Sequence, residues 1–159
     1  MDFTTRLLLF ALSATAGLAV GMFFAKSLKE KRDFYEELLG FANAVSADMT
    51  FRQDGIRAVS SIYANNCKSK LKHFLEEFCE TPSSIPEIKF LKAGENVSVT
   101  DFFSRLGKSD LVTQQAEIER SKSIIAERRD FYKNKFSTMY PMAIKLGLLC
   151  GIALGIIML

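Results

Sequence analysis

The sequence has few of the residues that catalysis, metal binding and disulfide bonding require. Among its 159 residues there are one histidine, three cysteines, three prolines and no tryptophan. Cys67, Cys79 and Cys150 lack CxxC spacing and neighbouring histidines, which argues against a disulfide framework and favours a reducing compartment. A glycine-rich phosphate loop, an HExxH motif and a nucleophile elbow are also missing. We therefore predict a protein that is not an enzyme and that binds no cofactor, metal or small-molecule substrate.

Charged residues are missing from long stretches near both ends of the chain. No charge lies between Arg6 and Lys26, and none follows Lys145. The net charge of +3 is too small to indicate nucleic-acid binding, for which a basic patch or stripe is expected. The segregation of charge predicts that the ends and the middle of the chain lie in two different solvents.

The first apolar segment, residues 7–25, is long enough to cross a membrane. Nineteen uncharged residues form a helix that matches a hydrocarbon core of about 30 Å. Ala14-Thr15-Ala16 resembles a signal-peptide cleavage site. However, residues 17–24 stay apolar beyond that site, which favours a retained transmembrane helix with residues 1–6 outside. Cleavage, giving an exported domain tethered by its C-terminal end, is the alternative.

The second apolar segment, residues 136–159, contains one lysine. At the bilayer centre Lys145 would cost about 2.5–3.5 kcal/mol, which nearly cancels the contribution of the leucines and isoleucines after it. Lys145 follows Tyr140 by five residues, so its ammonium can instead reach the headgroups by snorkelling. We predict a C-terminal transmembrane helix with Tyr140 and Lys145 near the membrane interface.

Basic residues flank the inner ends of both apolar segments and predict the orientation. The flanking residues are Lys26, Lys29, Lys31, Arg32, Arg128, Arg129, Lys133 and Lys135. By the positive-inside rule, residues 26–135 lie in the cytoplasm and the chain is a multi-pass protein of the cell membrane. Lys26 and Arg32 are predicted to lie near anionic lipid headgroups.

Small residues recur at four-residue spacing in both apolar segments and predict close helix packing. The glycines of these stripes are Gly17, Gly21, Gly147, Gly151 and Gly155. Such stripes let helix backbones approach closely in lipid. The pattern leaves open whether they pair within one chain or bind other membrane subunits.

The middle of the chain shows helical periodicity and no strand signals. Apolar residues recur every three or four positions, for example Phe34, Leu38 and Val45, and the first and last helices can run into the apolar segments. The extended loop candidate is residues 81–96. We predict an all-α fold: an antiparallel bundle of about five to six helices, flanked by an N-terminal and a C-terminal transmembrane helix.

A polar set near residue 110 is not explained by packing. Gly107 accounts for a turn and Ser109 or Asp110 for a helix cap, but Gln114 and Gln115 could be any polar residue on an exposed helix. Their amides are predicted to hydrogen-bond either to a neighbouring helix or to a partner. The predicted partner-binding residues are Lys108, Asp110, Gln114 and Gln115.

These residues also carry a family resemblance. The run LGKSDLVTQQ (106–115), the segment KFSTMY (135–140) and the glycine-rich end KLGLLCGIALGIIML (145–159) resemble the stage III sporulation protein AB family. Asp48-Met49-Thr50-Phe51 is similar to an acidic-hydrophobic-x-aromatic stretch of that family. Gln53-Asp54-Gly55-Ile56 departs from the family, which usually has a Pro-Leu turn there.

The resemblance implies a fold similar to the cytoplasmic domains of the F-type platform protein of type II secretion systems. It also implies a role in a multiprotein channel between mother cell and forespore. In that channel the protein would anchor its partner, the stage III AA ATPase, to the mother-cell membrane, among other membrane subunits. A platform subunit of a type II secretion or pilus-like apparatus is the alternative function.

Overall fold

The computed structural model describes residues 3–51, 55–80, 85–108 and 110–158. The described residues form helices and connecting segments, with no strand among them. The helices are α1 (Phe3–Phe51), α2 (Ile56–Asn66), α3 (Leu71–Glu80), α4 (Ala93–Arg105) and α5 (Leu111–Met158). The predicted all-α fold is confirmed; the antiparallel bundle arrangement stays a prediction.

The described part of the chain has five helices because both apolar segments are continuous with the helices next to them. The first and last helices have 49 and 48 residues. No proline or glycine lies between Ala25 and Phe34, so nothing in the sequence ends α1 where the charges begin. Pro141 lies inside α5 without ending it.

The chain divides into two compact units, which are described separately. The terminal unit comprises Met1–Lys29 and Phe131–Leu159, and the central unit comprises Glu30–Asp130. The long helices α1 and α5 each contribute to both units. The membrane and cytoplasmic boundaries predicted above are a separate matter and stay predictions.

The core of the central unit is built from aromatic rings. The Phe103 ring centroid lies 4.7 Å from that of Phe74, 5.2 Å from that of Phe78 and 5.5 Å from that of Phe41. All four side chains are buried. Aromatic pairs of this kind contribute about 0.5–1.5 kcal/mol each beyond the burial of their surface. The phenylalanines at helical spacing therefore form a core, as their periodicity predicts.

Glu37 of α1 satisfies the backbone at the start of α3. Its carboxylate accepts hydrogen bonds from the backbone N–H groups of Lys68 (2.9 Å) and Ser69 (3.0 Å), and from Ser69 Oγ (2.5 Å). Burial acts to raise the pKa of Glu37, but these hydrogen bonds and one from Cys67 outweigh it and lower the pKa. We call this arrangement the Glu37 clamp.

Helix α4 begins earlier than the sequence predicted. The loop was expected to extend to Asn96, but α4 begins at Ala93, and residues 81–84 lie outside the described residues. The carboxylate of Glu95 accepts a hydrogen bond from the backbone N–H of Lys92 at 3.1 Å. Lys31 lies 3.7 Å from the same carboxylate, which is buried. This cap starts the helix before Asn96, so the expected boundary was wrong.

Candidate functional site

Two features define the α4–α5 turn: the left-handed backbone of Gly107 and a helix cap at the start of α5. Gly107 has φ 78°, a left-handed conformation that side chains other than glycine rarely adopt. The Asp110 carboxylate accepts the backbone N–H of Thr113 at 3.4 Å, as an N-cap does. Hydrogen bonds from the Thr113 hydroxyl and backbone lower the pKa of Asp110, so the cap is ionised at neutral pH. Asp110 is thus the cap that the sequence predicted; Ser109 lies outside the described residues.

The four predicted partner-binding residues divide between solvent and interior. Lys108, Asp110 and Gln115 are exposed, whereas Gln114 is only 4% exposed. Gln114 lines a small cavity together with Phe102. Of the two possibilities for the amides, Gln114 therefore fits the contact with a neighbouring helix, and Gln115 remains available to a partner.

The outward face of α5 includes a valine that the sequence analysis did not single out. Val112 is 79% exposed and lies three residues before Gln115, so both lie on the same helix face. Gln114 and Ile118, four residues apart, are buried and mark the inward side of the helix. Helical spacing relative to Ile118 is the signal that could have found Val112. Together, Lys108, Asp110, Val112 and Gln115 are named here the turn surface.

The described residues offer little chemistry of their own. Cys67 is buried, and burial together with the nearby Glu37 carboxylate raises its pKa to about 12. A thiol in this state is a poor nucleophile, because the thiolate is the reactive form. No group of three His, Cys, Asp or Glu residues that could hold a metal ion occurs within the described ranges. The candidate site considered for this chain is therefore the turn surface.

In the terminal unit the glycine stripes of α1 and α5 face each other within one chain. A Cβ atom at Gly17 would lie 2.9 Å from the Gly151 Cα, and one at Gly21 would lie 2.6 Å from the Ala143 carbonyl oxygen. A Cβ atom at Gly147 would lie 2.5 Å from the Gly17 carbonyl oxygen. Residue numbers rise along α5 as they fall along α1, so the two segments are antiparallel. Only glycine allows this backbone approach.

Gly155 continues this register at the far end of the terminal unit. A Cβ atom there would lie 2.7 Å from Ser13 Oγ. All five glycines predicted to pack helices thus contact the other helix of the same chain. In the structure of the single chain these glycines pair the two helices within the chain, and pairing with other membrane subunits stays the alternative prediction.

The apolar side chains of the terminal unit are mostly exposed. Phe23 is 75% exposed, Leu149 62% and Ile157 80%. Only 11% of the residues in the apolar window of each long helix are buried. Soluble proteins rarely expose apolar surface on this scale. Both α1 and α5 are long and apolar enough to cross a membrane, and they are candidate membrane spans.

The predicted interface residues differ in their surroundings. Lys26, Tyr140 and Lys145 are exposed. Lys145 follows Tyr140 by five residues, about 7.5 Å along the helix axis, within the reach of a lysine side chain. Arg32 belongs to the central unit, and its guanidinium donates to the Asp33 carboxylate at 2.6 Å. The charge of Arg32 is therefore partly compensated within the protein.

The family comparison covers both candidate spans and the turn surface. The model of the stage III sporulation protein AB family matches residues 6–159. The chain belongs to this family. The resemblance seen in residues 106–115 is thereby confirmed, and it extends over nearly the whole chain. The stage III sporulation protein AB family consists of sporulation complex subunits and is not known as an enzyme family. No curated protein and no solved structure matches the chain.

Proposed function

We propose that this member of the stage III sporulation protein AB family is a membrane platform that docks a cytoplasmic motor ATPase. In this proposal the central unit is an antiparallel helical bundle in the mother-cell cytoplasm, and the terminal unit holds it at the membrane. The partners are an ATPase similar to the stage III AA protein and other membrane subunits of the same channel. The observation that carries the proposal is the exposure of the turn surface at the α4–α5 turn.

The turn surface has the properties of a protein-docking site. Gly107 has a left-handed backbone and Asp110 caps α5, and preformed local structure of this kind reduces the entropy lost on binding. Its exposed side chains combine a cation, a carboxylate, an amide and one apolar group, Val112. A small apolar contact surrounded by polar groups is typical of interface centres. Family membership favours the sporulation channel over a type II secretion or pilus-like apparatus.

Retention of the first span is supported by its packing. Cleavage near Ala16 would remove Ser13, whose carbonyl oxygen and hydroxyl lie against Gly151 and Gly155. The second span would then lose part of its helix partner. This argues for two retained spans over an exported, singly tethered domain.

Capture of the ATPase by variants of the turn surface tests the proposal. The double variant Val112→Glu/Gln115→Ala changes two exposed side chains on one face of α5 and leaves the Asp110 cap in place. We expect the amount of ATPase that co-purifies from membranes to fall at least about tenfold, as loss of an interface centre costs about 2 kcal/mol or more. Helix content measured by circular dichroism should not change.

Arg120→Ala, an exposed position further along α5, is the matched control and should capture normal amounts of ATPase. Gln114→Ala should instead lower the melting temperature, because its side chain is buried. Undiminished capture by the double variant would place the ATPase on another surface.

A further inference from the structure

The terminal unit contains an apolar groove that runs beside the contact between α1 and α5. Its volume is about 990 Å³. Small residues, among them Gly17 and Gly147, form its floor where the helices touch, and larger apolar side chains such as Phe24 and Met142 form its walls. The lining residues on α5 run from Lys135 to Leu154, about 28 Å along the helix axis. The groove is therefore about as long as the hydrocarbon core is thick.

One end of the groove is polar and positively charged. Lys135 and Ser27 line that end. The Lys135 ammonium lies 5.5 Å from the centre of the Phe131 ring, which directs its stem along an apolar surface. Lys26, Lys29 and Lys133 belong to the same unit. The described residues of the terminal unit contain no aspartate or glutamate, and Glu30, which follows Lys29, is ion-paired with Lys70.

We propose that this groove binds one anionic phospholipid, with an acyl chain along the apolar walls and the phosphate held by Lys135 and the Ser27 hydroxyl. This inference rests on the membrane insertion in the proposed function but not on ATPase docking. The positive charge at this end favours an anionic over a zwitterionic headgroup.

The shape of the groove favours a lipid over another helix as its occupant. Close helix association in lipid requires small residues at the point of contact. In the terminal unit those residues already contact each other, and a third helix would meet the walls of Phe24, Met139, Met142 and Leu146. A flexible acyl chain fits between such walls without requiring backbone approach.

The experiment measures lipid selectivity of the full chain in phosphatidylcholine vesicles. Spin-labelled phosphatidylglycerol and spin-labelled phosphatidylcholine report the fraction of lipid immobilised by the protein. We expect a preference for phosphatidylglycerol, and we expect Lys135→Gln to lower it about fivefold. A change of this size corresponds to the attraction between one lysine and an anionic headgroup. Lys26→Gln removes the same charge outside the groove and should have a much smaller effect. Ala16→Phe fills the groove and should reduce immobilisation, whereas Ala19→Phe, which lies outside the groove lining, should not.

Four results would overturn the inference. Equal losses in Lys135→Gln and Lys26→Gln would indicate general surface attraction in place of a site. Efficient cross-linking of two chains through Met142→Cys, without immobilised lipid, would assign the groove to a second copy. Release of the wild-type chain from vesicles by alkaline carbonate would refute membrane insertion itself, whereas an inserted chain without lipid preference refutes only the groove.

Discussion

Gly40 of α1 is a residue whose role depends on one neighbour across the central unit. The Tyr63 hydroxyl donates to the Glu37 carbonyl oxygen at 3.0 Å and lies in the space that a Cβ atom at Gly40 would occupy. Helix propensity alone predicts that Gly40→Ala stabilises the protein by about 0.5–1 kcal/mol. We expect the opposite sign, a loss of about 1–3 kcal/mol, because the tyrosine must leave its hydrogen bond and its contact with Phe41.

The matched control for this prediction is Gly94→Ala in α4. A Cβ atom there meets nothing within 4 Å, so propensity should act alone and stability should stay equal or rise slightly. Thermal unfolding of both variants in detergent, followed by circular dichroism, separates the two cases. Equal stabilisation by both substitutions would mean that Tyr63 does not occupy the space beside Gly40.

The Glu37 clamp predicts a pH dependence of stability. The pKa of Glu37 is lowered by its hydrogen bonds in the folded protein. Its contribution is therefore complete above the pKa of the unfolded chain, about 4.3, and is lost as the pH falls through the lower folded value. We expect Glu37→Gln to lower the free energy of unfolding at pH 7 by about 1.5–3 kcal/mol, and to lower it less at pH 3.

Glu36→Gln removes an exposed carboxylate from the same helix turn and is the control for the change in net charge. The measurement is the melting temperature of wild type and both variants between pH 3 and pH 7. A constant difference between wild type and Glu37→Gln over this range would contradict the clamp.

At the residue scale, the sequence indicated which polar residues need an explanation better than it indicated whether each of them is buried or exposed. Gln114 and Gln115 look alike as adjacent amides, yet one is buried and the other exposed. Which side of α5 each amide lies on depends on how α5 packs against the rest of the central unit. The periodicity around Ile118 indicates this only when the side that carries Ile118 is known to be buried. Gly40 carried no signal at all, because the ring that requires it is more than twenty residues away in the sequence.

At the scale of helices, regular patterns were predictive, whereas the cap was predicted for α5 and missed for α4. Apolar residues every three or four positions correctly predicted that α1 and α5 run on into the apolar segments. The predicted start of α4 was wrong because Lys92 is not a preferred N-cap residue. The cap comes instead from the Glu95 carboxylate, which accepts a hydrogen bond from the Lys92 backbone N–H. The glycine stripes could be found in the sequence. Which glycines of α1 and α5 lie opposite each other could not, because either helix could have faced another subunit.

That register can be trapped covalently. Ser13→Cys and Gly155→Cys would place a sulfur next to the opposing Cβ atom, close enough for a disulfide once the Phe10 ring shifts aside. In a Cys150→Ala background we expect the oxidised product to be a monomer with an internal cross-link, identified by mass spectrometry. Thr15→Cys with Gly155→Cys is the control, because Thr15 is exposed and its hydroxyl bonds along its own helix. A cross-linked dimer from the first pair would show that these stripes pair between subunits.

At the scale of the whole molecule, the forces that stabilise the inside of each unit differ between the two units. The central unit buries phenylalanine rings, which gain free energy by leaving water. The terminal unit exposes its large apolar side chains and brings glycine backbones into contact, an arrangement suited to lipid, where dispersion drives helix association. The absence of charge over residues 7–25 and 146–159 predicted this division from the sequence alone. The orientation of the two units across a membrane needs a direct experiment.

Cysteine labelling in intact cells tests that orientation. With Cys67, Cys79 and Cys150 replaced by alanine, Lys108→Cys places one exposed thiol on the turn surface, and Thr4→Cys places one near the other end of the first span. Because lysines and arginines flank the inner ends of both spans, we expect a membrane-impermeant maleimide to label Thr4→Cys in intact cells and Lys108→Cys only after permeabilisation. Labelling of Lys108→Cys in intact cells would put the turn surface outside the cytoplasm, where no cytoplasmic ATPase could reach it. Labelling of neither variant before permeabilisation would indicate that the first segment does not cross the membrane, and the platform would then be anchored by α5 alone.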